Sequence, residues 1–204
     1  MQSRIELEQI LGFNGQQFEV LRLCPTDPNI LYRAIGGQLV SSNLKTGQQR
    51  FVKLHDMEIT CLDLTFDGKY AITGQKGTVH KRDPEAPIIL TDLTTFKPVH
   101  EFNVIKYGVL KLEFSEDGMF LAATGEDNKF IIWNMSDKTV VTSIVHERQY
   151  TQFRWLKKIP GGKYPTYTFV ASTKNMVYVY TLHFDLGSMK YFSKSEQISL
   201  PSAG

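Results

Sequence analysis

The sequence predicts an all-β protein assembled from four-stranded antiparallel blades stacked as a propeller, and three observations carry that expectation. Residues 109–135 hold three short apolar runs parted by two tight-turn signals, so that stretch contains three neighbouring strands. The signature then recurs: Thr65-Phe66-Asp67-Gly68-Lys69 followed by Tyr70-Ala-Ile-Thr-Gly aligns without a gap with Ser115 to Gly125, 50 residues further on. A third-strand pattern appears four times, as Leu39-Val-Ser-Ser-Asn43-Leu44, Ile88-Ile-Leu-Thr-Asp92-Leu93, Phe130-Ile-Ile-Trp-Asn134-Met135 and Val177-Tyr-Val-Tyr-Thr181-Leu182. It sets Ser42, Thr91, Trp133 and Tyr180 at equivalent positions. A period of roughly 40 to 50 residues marks a propeller, because one blade cannot bury both of its faces alone and must stack on its neighbours.

In chain order, residues 1–17 come first, with Ile5 to Leu11 alternating in a strand-like way. Blade one spans 18–54, with Val20 to Cys24 as inner strand and Pro25-Thr-Asp-Pro-Asn29 as turn. Blade two spans 55–102 and carries a long insertion, Gln75 to Pro87, between its second and third strands. Blade three spans 103–145. Its first strand, Val109 to Phe114, alternates outward Lys111 and Glu113 with inward Leu110, Leu112 and Phe114, the period of two of a half-buried strand. Ser115-Glu116-Asp117-Gly118 then turns the chain, since Ser and Asp bond their own backbone and Gly accepts a positive φ. Phe120 to Thr124 is nearly all apolar, as a strand covered on both faces would be. Blade four spans 146–194 and contains a basic turn at Lys157-Lys-Ile-Pro-Gly-Gly-Lys163; residues 195–204 read as a linker or frayed end.

Phe114-Ser-Glu-Asp-Gly, Leu121-Ala-Ala-Thr-Gly, Asp127 and Ile131-Ile-Trp-Asn together resemble a WD-repeat blade, with Trp133-Asn134 in place of the family's Trp-Asp. The resemblance implies a WD-repeat β-propeller of about four blades here. A seven-bladed ring closed by a strand from residues 1–17 is favoured over a four-bladed ring or one completed by another chain, because open end blades would leave strand edges unpaired. It also implies a buried hydrogen-bond network in each blade, for which blade three supplies Thr124, Asp127 and Trp133 while His55 and His146 stand in blades two and four.

The composition, 42% hydrophobic and 22% charged with a net charge of +2, fits a folded globular chain and demands neither nucleic acid nor an anionic membrane as partner. No run approaches a membrane span and the first residues lack the apolar core of a secretion signal, so a cytoplasmic protein is expected. Cys24 and Cys61, at equivalent places in successive first strands, read as buried reduced thiols. Asp67, Asp83, Asp92, Asp117 and Asp127 fall in turns and strand ends, and no nucleophile motif, phosphate loop or metal-spaced cysteine pair is present. The first strands offer no polar set converging on a central channel, so neither catalysis nor a cofactor is expected.

The candidate functional surface is instead the basic segment Lys76, His80, Lys81 and Arg82 in the insertion, with Lys157, Lys158 and Lys163 as a second basic turn on the same face or the opposite one. From Leu7-Glu-Gln-Ile-Leu-Gly, Cys24-Pro-Thr-Asp-Pro, Lys45-Thr-Gly-Gln-Gln and the Ile88 strand, residues 5–145 are similar to the first half-propeller of the axonemal cilia- and flagella-associated WD-repeat family. That resemblance implies a non-catalytic microtubule inner protein of the axoneme, binding acidic tubulin and neighbouring axonemal proteins. A general cytoplasmic scaffold shares every propeller feature and is the alternative.

Overall fold

The computed structural model describes residues 8–12, 15, 18–78, 84–160, 163–174 and 176–199. Among them, sixteen strands form four antiparallel meanders of four strands each. Blade one holds β1 (Leu21–Leu23), β2 (Ile30–Ile35), β3 (Gln38–Asn43) and β4 (Gln49–Lys53). Blade two holds β5 (Ile59–Leu64), β6 (Tyr70–Gln75), β7 (Ile88–Asp92) and β8 (Lys97–Phe102). Blade three holds β9 (Val109–Phe114), β10 (Phe120–Gly125), β11 (Lys129–Asn134) and β12 (Thr139–Val145). Blade four holds β13 (Gln152–Trp155), β14 (Tyr167–Ser172), β15 (Met176–Asp185) and β16 (Lys190–Ser199).

The repeated turns have one mechanism. Asp67 Oδ1 accepts bonds from the Thr65 hydroxyl (2.7 Å) and the Lys69 amide (3.1 Å), and Asp117 Oδ1 accepts from the Ser115 hydroxyl (3.0 Å) and the Met119 amide (3.1 Å). Gly68 and Gly118 sit at φ +68 and +70, the left-handed region the reversal requires. The four inner strands then end alike: the amides of Cys24, Thr65, Ser115 and Leu156 donate to Ile30 O, Tyr70 O, Phe120 O and Thr168 O, at 2.8 to 3.0 Å. The third strands keep the expected register. Leu31, Ala71, Leu121 and Phe169 pair with Ser42, Thr91, Trp133 and Tyr180, and all four of the latter are buried.

The core lies between blades. Cys24, Tyr32, Leu62, Leu64 and Phe96 join blades one and two. Ile88, Leu90, Phe102, Leu112 and Trp133 join two and three. Phe120, Phe130, Phe153, Phe169 and Tyr180 join three and four. β10, wedged between two such junctions, is buried at every position, as its apolar sequence predicts.

Four sequence expectations are corrected. Cys24 is equivalent to Thr65 and Ser115, the residue just past the inner strand, and not to Cys61, which stands four positions earlier, inside β5, and aligns with Val20 and Lys111. Lys111 points inward and is 4% exposed, since the inner strand has neighbours on both sides. Residues 195–199, read as linker, extend β16, which pairs with β15 from Asp185↔Lys190 to Met176↔Ser199. Residues 8–11 form no strand; Ile5, Glu6 and Leu7 lie outside the described residues. The segment lies across the outer flank of blade one, where Arg33 donates to Ile10 O (2.6 Å) and Gly12 O (3.1 Å) and Gln49 Oε1 accepts from the Ile10 amide (2.9 Å).

Candidate functional site

The strand ends from which the two basic segments leave lie on opposite faces. The 76–87 loop leaves the end of β6 and enters β7, whereas the 156–166 loop leaves β13 and enters β14, and consecutive strands of a meander turn at alternate ends. Both roots of the first loop are pinned to the linker between blades two and three. Gly77 donates to Tyr107 O (2.6 Å), Tyr107 to Pro84 O (2.9 Å) and Ala86 to Ile105 O (3.0 Å). A Cβ on Gly77 would stand 1.9 Å from Tyr107 O, so the chain passes there only as glycine. Lys76 is exposed at this root; His80, Lys81 and Arg82 lie outside the described residues. In the second segment Lys158 Nζ is held by Asp117 Oδ2 at 3.0 Å, which also accepts the Tyr167 hydroxyl at 2.7 Å, while Lys157 and Lys163 are exposed.

The inner strands do carry a converging polar set, contrary to the sequence expectation. Arg22, Asp63, Glu113 and Arg154 occupy one equivalent position in β1, β5, β9 and β13. Arg22 Nε donates to Asp63 Oδ1 (3.2 Å), Asp63 Oδ2 accepts the Phe114 amide (2.8 Å), and Arg154 donates to Glu113 Oε1 (3.3 Å). Lys111 Nζ lies beneath, 3.1 Å from Gln152 Oε1, 3.5 Å from Glu19 and 3.9 Å from Glu113 Oε2, an oxygen with no hydrogen bond of its own. Burial raises the carboxyls of Asp63 and Glu113 against the pull of Arg22 and Arg154. Glu19 is also pushed up by burial, but the Arg22 hydrogen bond and Lys111 outweigh it and its pKa falls.

These charges are committed to one another, and they lock each blade to the next. Lys111→Met is therefore expected to cost about 1–2 kcal/mol at pH 7, below the ~3–5 of a fully dry pair because Glu19 and Glu113 retain some solvent. Urea unfolding at pH 7 and pH 5 checks it. The cost should shrink at pH 5, where Glu113 is more readily protonated.

The blade network appears in blade two rather than blade three. His55 Nδ1 lies 3.0 Å from Gln75 Oε1 and its Nε2 lies 2.7 Å from Thr73 Oγ1, with the ring 2% exposed. In blade three Asp127 turns outward to the Lys106 amide (3.1 Å) and Lys129 Nζ (3.2 Å). Trp133 packs on the Phe102 ring at 5.0 Å, and Thr124 is buried in β10 opposite Phe130. Cys61 is a free thiol pushed up to about 12 by burial, so it stays protonated and unreactive.

The model of the WD domain, G-beta repeat family matches residues 96–134, a span that ends on the Trp133-Asn134 pair closing β11. Residues 96–134 thus carry a match to the WD repeat. Solved WD-repeat structures show the same fold: the crystal structure of RRP9 WD40 repeats superimposes with TM-score 0.61 at 15% identity over 89% of this chain and 52% of that one. KlHsv2 with loop 6CD replaced by a Gly-Ser linker gives TM-score 0.66 at 13% identity over 96% and 62%.

Among curated proteins, this chain is similar to "Cilia- and flagella-associated protein 52" of Sus scrofa, 26% identical over 66% of this chain and 21% of that protein. The Chlamydomonas reinhardtii protein of the same name is 27% identical over 69% and 23%. The matched stretch thus spans about a fifth of those relatives. "Elongator complex protein 2" of Saccharomyces cerevisiae is 28% identical over 50% of this chain and 13% of its own.

Proposed function

We propose that the chain belongs to a non-catalytic structural protein of cilia or flagella, a microtubule inner protein of the axoneme whose WD blades bind tubulin and neighbouring axonemal proteins. The observation that carries this reading is the similarity, over two thirds of the chain, to proteins named as cilia- and flagella-associated in an alga and a mammal. The geometry is compatible with it. Buried charges are spent on blade-to-blade contacts: Arg22 on Asp63 and Arg154 on Glu113. The four blades would form one arc of a larger ring, with the basic loop of residues 76–82 presented to an acidic lattice.

A tagged copy in a flagellated cell is expected to remain along the axoneme after detergent and salt extraction. Lys81→Glu with Arg82→Glu should reduce co-sedimentation with microtubules several-fold, since the contact gains from charge only where it excludes water. Full extraction of the tagged protein would move the assignment to the second reading, a general cytoplasmic scaffold. The similarity to a subunit of the Elongator complex favours that reading.

A further inference from the structure

The outer end of blade four departs from its sisters. In blades one to three the third strand stops at Asn43, Asp92 or Asn134, whose side-chain oxygen caps the turn that follows through the amides of Lys45 and Thr46, Thr94 and Thr95, or Ser136. In blade four the hairpin runs on to Asp185 and Lys190 and turns through Leu186-Gly187-Ser188-Met189. Leu186 is 70% exposed and Met189 60%. The turn itself is of the sisters' kind, with Asp185 accepting from the Gly187 and Ser188 amides and Met189 at a positive φ like Gly47, Phe96 and Lys138; what is particular to blade four is the extension that carries Leu186 and Met189 beyond the usual turn.

The extension walls a cleft of about 420 Å³ against blade three. Phe184 stacks face to face on Tyr164, with centroids 3.8 Å apart and planes 3° off parallel, and Tyr191 meets Phe184 edge-on at 5.1 Å. Val140 and Met119, both part-exposed, form the facing wall. Two exposed cations, Lys163 and Lys190, stand at this cleft. The acid lining it, Asp137, is engaged by the Thr139 amide (3.0 Å) and hydroxyl (2.7 Å). The side of the blade four sheet that carries Val170, Val177 and Val179 faces away from blade three, so a further blade stacked there would leave this cleft open.

We propose that this cleft is a docking site for a short extended segment of a partner protein, with one or two large apolar side chains flanked by aspartate or glutamate. The aromatic walls fit the apolar anchor and the paired lysines fit the flanking carboxylates; a cleft of this size holds a few side chains rather than a domain. The site lies on the face opposite the 76–87 loop and holds whichever assembly the chain belongs to.

The test is fluorescence anisotropy of a fluorescein-labelled peptide, Asp-Glu-Leu-Trp-Phe-Asp-Glu, titrated with the full chain. Saturable binding is expected, weakened by added salt, and absent for the same peptide with lysine at each acidic position. Lys163→Glu with Lys190→Glu should weaken it about tenfold, and Met189→Ser about fivefold, with thermal midpoints unchanged because all three side chains are exposed. Three results would overturn the proposal. They are no saturable binding, equal binding of the acidic and basic peptides, or a concentration-dependent dimer abolished by Met189→Ser, which would make a second copy the occupant.

Discussion

Phe130→Ala is expected to remove about 3–5 kcal/mol of stability, the range for emptying a fully buried aromatic site. Phe130 is 0% exposed, and every ring around it comes from blade four: Phe169 at 5.0 Å and Tyr180 at 5.7 Å lie nearly parallel to it, with Tyr150 at 5.4 Å and Phe153 at 5.5 Å tilted or edge-on. It is the knob by which blade three holds blade four. Its loss leaves a cavity walled by large planar rings that cannot collapse into it, and forfeits several aromatic contacts worth roughly 0.5–1.5 kcal/mol each.

The effect should be uneven along the chain. Trp155 belongs to blade four and Trp133 to the junction of blades two and three. With each tryptophan kept singly by Trp→Phe exchange of the other, the urea transition reported by Trp155 should move to lower denaturant by more than that reported by Trp133. Equal shifts would mean that the blades unfold as one unit. A loss below about 1 kcal/mol would mean that blade four is held elsewhere.

Much of this architecture was legible in the sequence, because turns and third strands carry local chemistry. Ser42, Thr91, Trp133 and Tyr180 share little as side chains, yet each precedes a polar or capping residue, and all four occupy the same buried place. What failed was what depends on neighbours. A lysine in an alternating strand reads as solvent-facing, but Lys111 meets Glu19, in the 3-10 turn before β1, and Gln152, in β13, both far away in sequence. The charged ladder of Arg22, Asp63, Glu113 and Arg154 was missed for the same reason. Its signal was present, as one charged residue before the last position of each inner strand, and it becomes visible only when the blades are aligned by their turns. The equivalence of Cys24 and Cys61 failed because Cys24 lies just past the end of β1 whereas Cys61 stands four positions earlier, inside β5. The aromatic cleft rests on a hairpin extension that strand periodicity alone does not end, because Phe184 and Tyr191 continue the alternation past the usual turn.

The histidine of blade two makes folding stability depend on pH. Burial lowers the His55 pKa from 6.5 to about 4, with the Gln75 hydrogen bond opposing the shift. Gln75 Nε2 donates to Lys76 O at 3.1 Å, which turns its Oε1 toward His55 Nδ1 and leaves Nε2 to accept from the Thr73 hydroxyl. The ring is therefore satisfied as the neutral imidazole. Between pH 6.5 and about 4 the unfolded chain binds this proton and the folded chain does not, so stability rises with pH across that window: it is complete above 6.5 and lost as pH falls. The whole gap is worth about 3 kcal/mol at 1.36 kcal/mol per unit.

Asp63 and Glu113 act with the opposite sign, since their raised pKa values let the folded state take up protons first. Glu19 and Asp117, whose pKa values are lowered, cost stability only as pH falls below their ordinary 4.5 and 3.8. His55→Asn separates these contributions. Urea midpoints measured at pH 7, 6 and 5 should fall steadily for the native chain and stay nearly level for the variant, which starts about 1–2 kcal/mol lower at pH 7 from the lost hydrogen bonds. Parallel slopes in the two proteins would show that the imidazole takes up its proton as readily in the fold as in the unfolded chain, so that burial within blade two does not hold it neutral.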